Sequence, residues 1–240
     1  MIKYNNNSIN DWYFDTSDIV KVYRNNVVRY QKIYSGSTTK ILAHLTLNDG
    51  SIVDIEDDGT GALKKRMMSA YSTNTVSVEI LSGCTRLEMA NSTGTFQTFS
   101  QLTAVTMPDT LITIDSNAFL STSLVDVVVP DSVQTINGGA FARISTLQSI
   151  TFGSGCTSIG RAMTQESKQT KIIFKSPTNP ISNYDFWFYH GARNGVIEYP
   201  CDGTGYDVMM ANFKKKTANV GNNGTVNTWT EQCKQYNNKI

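Results

Sequence analysis

Between about residues 76 and 175, apolar side chains return at a fixed distance along the chain. Leu102, Val105, Met107, Leu111, Ile114, Ala118 and Phe119 are each followed 22 residues later by Leu124, Val127, Val129, Val133, Ile136, Ala140 and Phe141, and Pro108 is followed by Pro130 in the same register. A third round, Leu147, Ile150, Phe152, Cys156 and Ile159, lies 23 residues beyond its counterparts, with Gly153 in the proline column and Met163 near the Ala-Phe position. Upstream, Val78, Ile80, Cys84, Leu87 and Phe96 fit the columns once about four residues are inserted after Leu87, and Ile172 and Phe174 begin a last, incomplete round. A period of this length marks a stack of similar units, each a single coil of chain.

Within a coil the columns have a physical reading. Val105 and Met107 stand two positions apart, the strand spacing, so both are expected inside the coil with Thr106 outside. Pro108 supplies no N–H and stops the ladder, and Asp109 and Thr110 offer oxygens for the bend that follows. Leu111 and Ile114 fill the returning limb, and Ala118 beside Phe119 pairs a close backbone approach with one large ring. Each coil brings about six apolar anchors. At roughly 2 kcal/mol apiece they cannot offset backbone ordering at about 1 to 2 kcal/mol per residue. Coils must therefore stack, and the stack must be capped. Cys84 and Cys156 fall in the column of Leu111 and Val133, each within the tetrapeptide Ser-Gly-Cys-Thr, and are expected to be buried, inert thiols.

The flanks lack the period. Ile41 to Leu47 and Ile52 to Ile55 surround Asn48-Asp49-Gly50, a hairpin signal, and Gly61 to Tyr71 favours a short helix with Leu63, Met67 and Ala70 on one side. Together they predict an N-terminal cap over 40–75. In residues 1–35, Trp12, Phe14, Tyr23 and Arg24 sit among two strand-like runs, Ile19 to Arg24 and Val27 to Ile33, too short to need them all as core. That segment is read as a small β attachment module with those four residues at its interface, and Ser35 to Thr39 as a hinge. Residues 176–240 are expected to form a C-terminal cap and tail. Phe186 and Phe188 would cover the last coil, Trp187 and Tyr189 are left for a possible ligand surface, and the chain turns polar and asparagine-rich from Asn219.

Composition narrows the function. Charged residues are 17% of the chain and 21 basic side chains face 20 acidic ones, a balance that gives no field for nucleic acid. Lys64-Lys65-Arg66 and Lys214-Lys215-Lys216 read as solvated faces. No stretch approaches the roughly 20 apolar residues of a membrane helix, and the first residues lack the layout of a secretory signal, so membrane insertion is not expected and synthesis in a cytoplasm is. Four cysteines without a Cys-x-x-Cys pair and two histidines, His44 and His190, exclude a zinc site of the usual spacing. Asp54, Glu56, Asp57 and Asp58 lack the closing glutamate of a calcium loop and read as a solvated loop. Gly59-Thr60-Gly61 lacks the lysine of a phosphate loop and reads as a turn. No catalytic residue, cofactor or metal is expected.

The columns Leu102 to Phe119 and Leu124 to Phe141 resemble the BspA-like leucine-rich repeats of bacterial surface proteins and some phage proteins, with Pro108 and Pro130 where commoner leucine-rich repeats carry asparagine or cysteine. The resemblance covers residues 76–175 and implies a mainly β fold, a short leucine-rich-repeat solenoid. Two further segments, Ile9 to Asn25 and Gly195 to Asp207, resemble parts of proteins from tailed phages of gut Bacteroidales, crAss-like phages among them. They imply a virion location, as a head or tail fibre or appendage, with other virion proteins as partners, homo-oligomers, and a host-surface glycan or protein as a further contact. An exported adhesin of the same repeat type is the alternative.

Overall fold

A computed structural model describes residues 13–16, 19–24, 27–31, 40–161, 164, 167, 171–181, 194–217 and 228–235. The chain divides into two compact units, Met1–Lys40 and Ile41–Ile240. The first contains three strands, β1 (Tyr13–Thr16), β2 (Ile19–Arg24) and β3 (Val27–Gln31), joined as an antiparallel sheet in the order β1-β2-β3. β1 is an addition to the two strands expected there.

The second unit opens with the antiparallel hairpin β4 (Ile41–Leu47) and β5 (Ile52–Glu56). Its turn is closed by Gly50 at φ +82°, a conformation that favours glycine. The helix expected after it does not form. Ala62–Lys64 is a strand, β6, followed by two single 3-10 turns, Lys65–Met67 and Ser69–Tyr71. The reason is tertiary: all three residues of β6 are buried and pair in parallel with Arg86 to Glu88, and this ladder outweighs helix propensity. The solenoid thus already has a rung in what the sequence suggested was the cap. Nor is the basic cluster a solvated face throughout, because Lys64 is buried with its ammonium 2.9 Å from Asp58 Oδ2, and Lys65 Nζ donates to the Gln97 carbonyl at 2.6 Å.

From here the chain winds as a β-solenoid of about five turns, with little helix. Each turn carries a front strand and a back strand: β7 (Thr75–Ile80) with β8 (Arg86–Glu88), β9 (Ala104–Thr106) with β10 (Thr113–Ile114), β11 (Asp126–Val128) with β12 (Thr135–Ile136), and β13 (Ser149–Phe152) with β14 (Ser158–Ile159). The fifth begins at β15 (Lys171–Phe174) and returns through Ile181, which bridges in parallel to Ile159. The back strands form one parallel ladder in which Leu63, Leu87, Ile114, Ile136 and Ile159 are in register and buried. On the front, Val127, Ile150 and Ile172 are paired in the same way.

Leu102, Leu111, Phe119, Leu124, Val129, Val133, Phe141, Leu147 and Phe152 are buried in the same continuous core, as are Cys84 and Cys156. Rings continue the columns: Phe119 stacks on Phe96 at 5.3 Å and on Phe141 at 5.2 Å, and Phe152 on Phe174 at 5.3 Å. Val105 and Met107 differ from the expectation of a full interior position, being only partly buried and packed against the core. The front ladder is interrupted beside them. β9 pairs with β7 through Val78↔Val105, whereas β11 heads a separate sheet and is tied across by the Val125 N–H to the Thr103 carbonyl at 3.3 Å.

Where one turn crosses the next, a side chain can be too much. A Cβ at Gly153, in the proline column, would lie 2.4 Å from the Pro130 carbonyl oxygen, and one at Gly155 would lie 2.1 Å from that of Asp131. The degeneracy of the third round is thus a close backbone approach rather than a loss of fold.

Beyond the fifth turn the tail is more regular than its composition suggests. β16 (Asn194–Pro200) adds in parallel to β15, α1 (Tyr206–Thr217) crosses over, and β17 (Thr228–Lys234) adds in parallel to β16. β17 therefore lies within the polar, asparagine-rich stretch that begins at Asn219. Tyr206, Met209 and Met210 of α1 are buried in the core, and the Tyr206 hydroxyl donates to the Ser176 carbonyl at 2.9 Å. A capping contribution thus comes from α1, which the sequence reading had not singled out.

Candidate functional site

The front strands turn alternate side chains outward in two rows. One row follows the register Thr46, Ser77, Ala104, and resumes past the interruption as Asp126, Ser149, Lys171, Val196. The other runs His44, Glu79, Thr106, and then Val128, Thr151, Ile173, Glu198. Parallel strands are ordinarily covered on both faces. Here the outer face is open: Glu79, Ala104, Thr106 and Asp126 are exposed, and Val128 keeps 63% of its surface. Most of these side chains are short, which leaves a shallow strip that a partner's backbone or ring can approach.

At the N-terminal end the strip deepens into a groove of about 410 Å³ lined by residues that include His44, Ile52, Asp54, Ser77, Glu79 and Thr106. His44 Nδ1 is hydrogen-bonded to Asp54 Oδ1 across the hairpin at 2.7 Å, and Glu79 stands opposite His44 on β7. A nucleophile relay needs a hydroxyl or thiol bonded to the imidazole. Among the described residues the hydrogen-bond partner of His44 is Asp54, so the groove offers donors, acceptors and negative charge for binding.

The acidic loop next to it is occupied by its own neighbours. Asp57 Oδ1 accepts the N–H groups of Gly59 and Gly61, both at 2.9 Å, while Asp58 accepts from Thr60, Lys64 and Arg66. The Thr60 hydroxyl, and after it Lys64, hold the Asp58 carboxyl down to about 2. With its carboxylates used as turn acceptors, the loop is a structural element, and Gly59 and Gly61, at φ +91° and +66°, are its bends. Among the described residues no group of three or more His, Cys, Asp or Glu side chains is placed to hold a metal ion.

Of the residues singled out from the sequence, Trp12, Trp187 and Tyr189 lie outside the described residues. Phe14 is in β1 opposite Lys21, and Tyr23 and Arg24 are in β2 opposite Val28 and Val27. Sequence reasoning missed the His44–Asp54 pair, although counting outward from Asn48-Asp49-Gly50 would have set them opposite each other. It also missed the disulfide between Cys201 and Cys233, whose Cα atoms are 4.6 Å apart on neighbouring rungs. Their separation of 32 residues carries no motif, and only the pairing of β16 with β17 brings them together.

Comparison with curated proteins and with solved structures yields no match. A family model for the BspA-type leucine-rich repeat region, in six copies, matches residues 67–190, just over half of the chain. That span holds the turns from β7 to β15 and the columns described above. The chain belongs to the BspA-type leucine-rich repeat family.

Proposed function

We propose that this protein is a non-catalytic attachment scaffold, a fibre or appendage component of a phage virion, which holds other virion proteins, copies of itself, or a host-surface glycan or protein. The observation that carries the scaffold reading is the open front strip: successive rungs about 4.8 Å apart turn mostly short side chains outward, and Glu79, Ala104, Thr106, Asp126 and Val128 along its middle are exposed. Such a surface supplies many weak, registered contacts and suits recognition by area. The virion location is supported by the likeness of Ile9 to Asn25 and Gly195 to Asp207 to phage proteins, and by a separate N-terminal unit suited to docking.

A second reading, an exported bacterial adhesin, is favoured by the family itself, whose repeats resemble those of bacterial surface proteins. The Cys201–Cys233 disulfide agrees with both, since such bonds persist on virion and cell surfaces alike. Mass spectrometry of density-banded phage particles and of outer-membrane fractions from the same culture separates the two. The virion reading expects the chain at stoichiometric abundance in the particles; recovery from the cell surface alone contradicts it.

A further inference from the structure

The last rung of the solenoid is attached in a different way from the others. In β7, β11, β13 and β15 the front strands bury alternate side chains in the core and in β9 Val105 packs against it, but in β17 residues 230–234 are exposed without alternation. Over such an exposed run a parallel strand lacks its usual source of stability. Among the described residues its ties to β16 include the ladder itself, the Tyr199 hydroxyl with Glu231 Oε2 at 3.2 Å, and the Thr230 hydroxyl with the Gly195 carbonyl at 3.4 Å. The two side-chain bonds lie at the surface, where water competes for them. The covalent tie is the Cys201–Cys233 bond, which sits at the end of the register, where the Cys201 N–H also donates to the Lys234 carbonyl at 3.1 Å.

Both sulfur-bearing residues are exposed. We propose that Cys201–Cys233 is a redox clasp, a site of thiol–disulfide exchange at which a dithiol reductant releases β17 from β16 while the five turns stay folded. In the exchange a thiolate of the dithiol attacks one sulfur, the Cys201–Cys233 bond breaks and the other sulfur leaves as thiolate. The second thiol of the dithiol then attacks the first sulfur of the dithiol, and the protein sulfur still bound to it leaves as thiolate, so that the dithiol departs as a disulfide. Two electrons and two protons have passed to Cys201 and Cys233. The other two cysteines take no part, because Cys84 and Cys156 are enclosed in the core and burial pushes the Cys156 thiol up to about 12. Release uncovers the edge of β16, whose backbone groups from Asn194 to Pro200 pair with β17 in the oxidised protein. An uncovered edge of that kind is a template for a new strand.

The test is hydrogen exchange by mass spectrometry on the full chain, with and without dithiothreitol, alongside a Cys201→Ser, Cys233→Ser double variant. The clasp predicts that reduction speeds amide exchange in 228–234 and 194–200 by at least about tenfold and leaves 126–174 unchanged. The double variant should show the fast pattern without reductant and ignore its addition. Iodoacetamide should label two thiols per native chain after reduction and none before. Unchanged exchange in 228–234 after both thiols are labelled would overturn the proposal. Loss of protection throughout 126–174 would also overturn it, as would two reactive thiols in the untreated protein.

Discussion

Asp115 is a buried carboxylate on the returning limb of a coil, and its neighbours explain why it is tolerated. Arg86 donates to Asp115 Oδ2 through Nε at 2.9 Å and through Nη2 at 2.7 Å, the Met89 N–H donates to the same oxygen at 3.1 Å, and Asn137 Nδ2 donates to Oδ1 at 3.0 Å. The donors come from the turns on either side of its own, so the side chain serves the stacking and its charge is partnered from both. The columns themselves were legible residue by residue, because each interior position had to be filled in every round. Ile136 is fully buried, and Ile136→Asp should destabilise by more than about 4 kcal/mol, whereas Thr106→Asp on the open strip should stay within about 0.5 kcal/mol. Chemical denaturation of the two variants decides this, and equal midpoints would show that the inward and outward assignments are wrong. Asp58 sets a pH window. Its folded carboxyl lies near 2, below its ordinary value of 3.8, so the stability it contributes is full above about pH 4 and is lost as pH falls toward 2. Thermal melts from pH 5 to pH 2 should therefore fall less steeply for Asp58→Asn than for the unaltered chain.

At the scale of elements, legibility followed the period. The rungs from β9 to β14 repeat at 22 or 23 residues and could be read directly. Ile197 follows Ile172 by 25 positions and Glu231 follows Ile197 by 34, so the columns dissolve just where two further parallel strands are added. β6 was mistaken for helix because Ala62-Leu63-Lys64 has good helix formers, and its partner Leu87 is 24 positions away in a round already worn. The turns carry a constraint that hydrophobic columns do not reveal. Gly155→Ala would force a Cβ to within 2.1 Å of the Asp131 carbonyl oxygen, a rigid backbone atom, and should cost about 2 to 3 kcal/mol. The same exchange at Gly59, which has open space and only its φ of +91° against it, should cost about 1 kcal/mol. Melting both variants compares steric crowding with backbone strain; a larger loss at Gly59 would contradict the close approach of the two turns.

For the whole molecule, a solenoid is held by contacts between neighbouring coils, and its stability is close to a sum over interfaces. The N-terminal unit has a sheet of its own, so removing residues 1–35 should leave the melting of the solenoid unchanged and, under the virion reading proposed above, abolish incorporation into particles. Sedimentation of labelled chain with purified virions reads the second effect, and undiminished incorporation would remove the docking role from that unit. The candidate surface was less legible than the core, because outward positions need only be short and polar and so leave no period to read. The central claim is that side chains one period apart occupy one column. Methyl-to-methyl nuclear Overhauser contacts in a sample labelled at leucine and isoleucine methyls test it most directly. Cross-peaks should link Leu87 to Ile114, Ile114 to Ile136 and Ile136 to Ile159, and should be missing between Leu87 and Ile136, which are two rungs apart. Absence of the neighbouring peaks, or strong contacts that skip a rung, would contradict the stacked register on which the account rests.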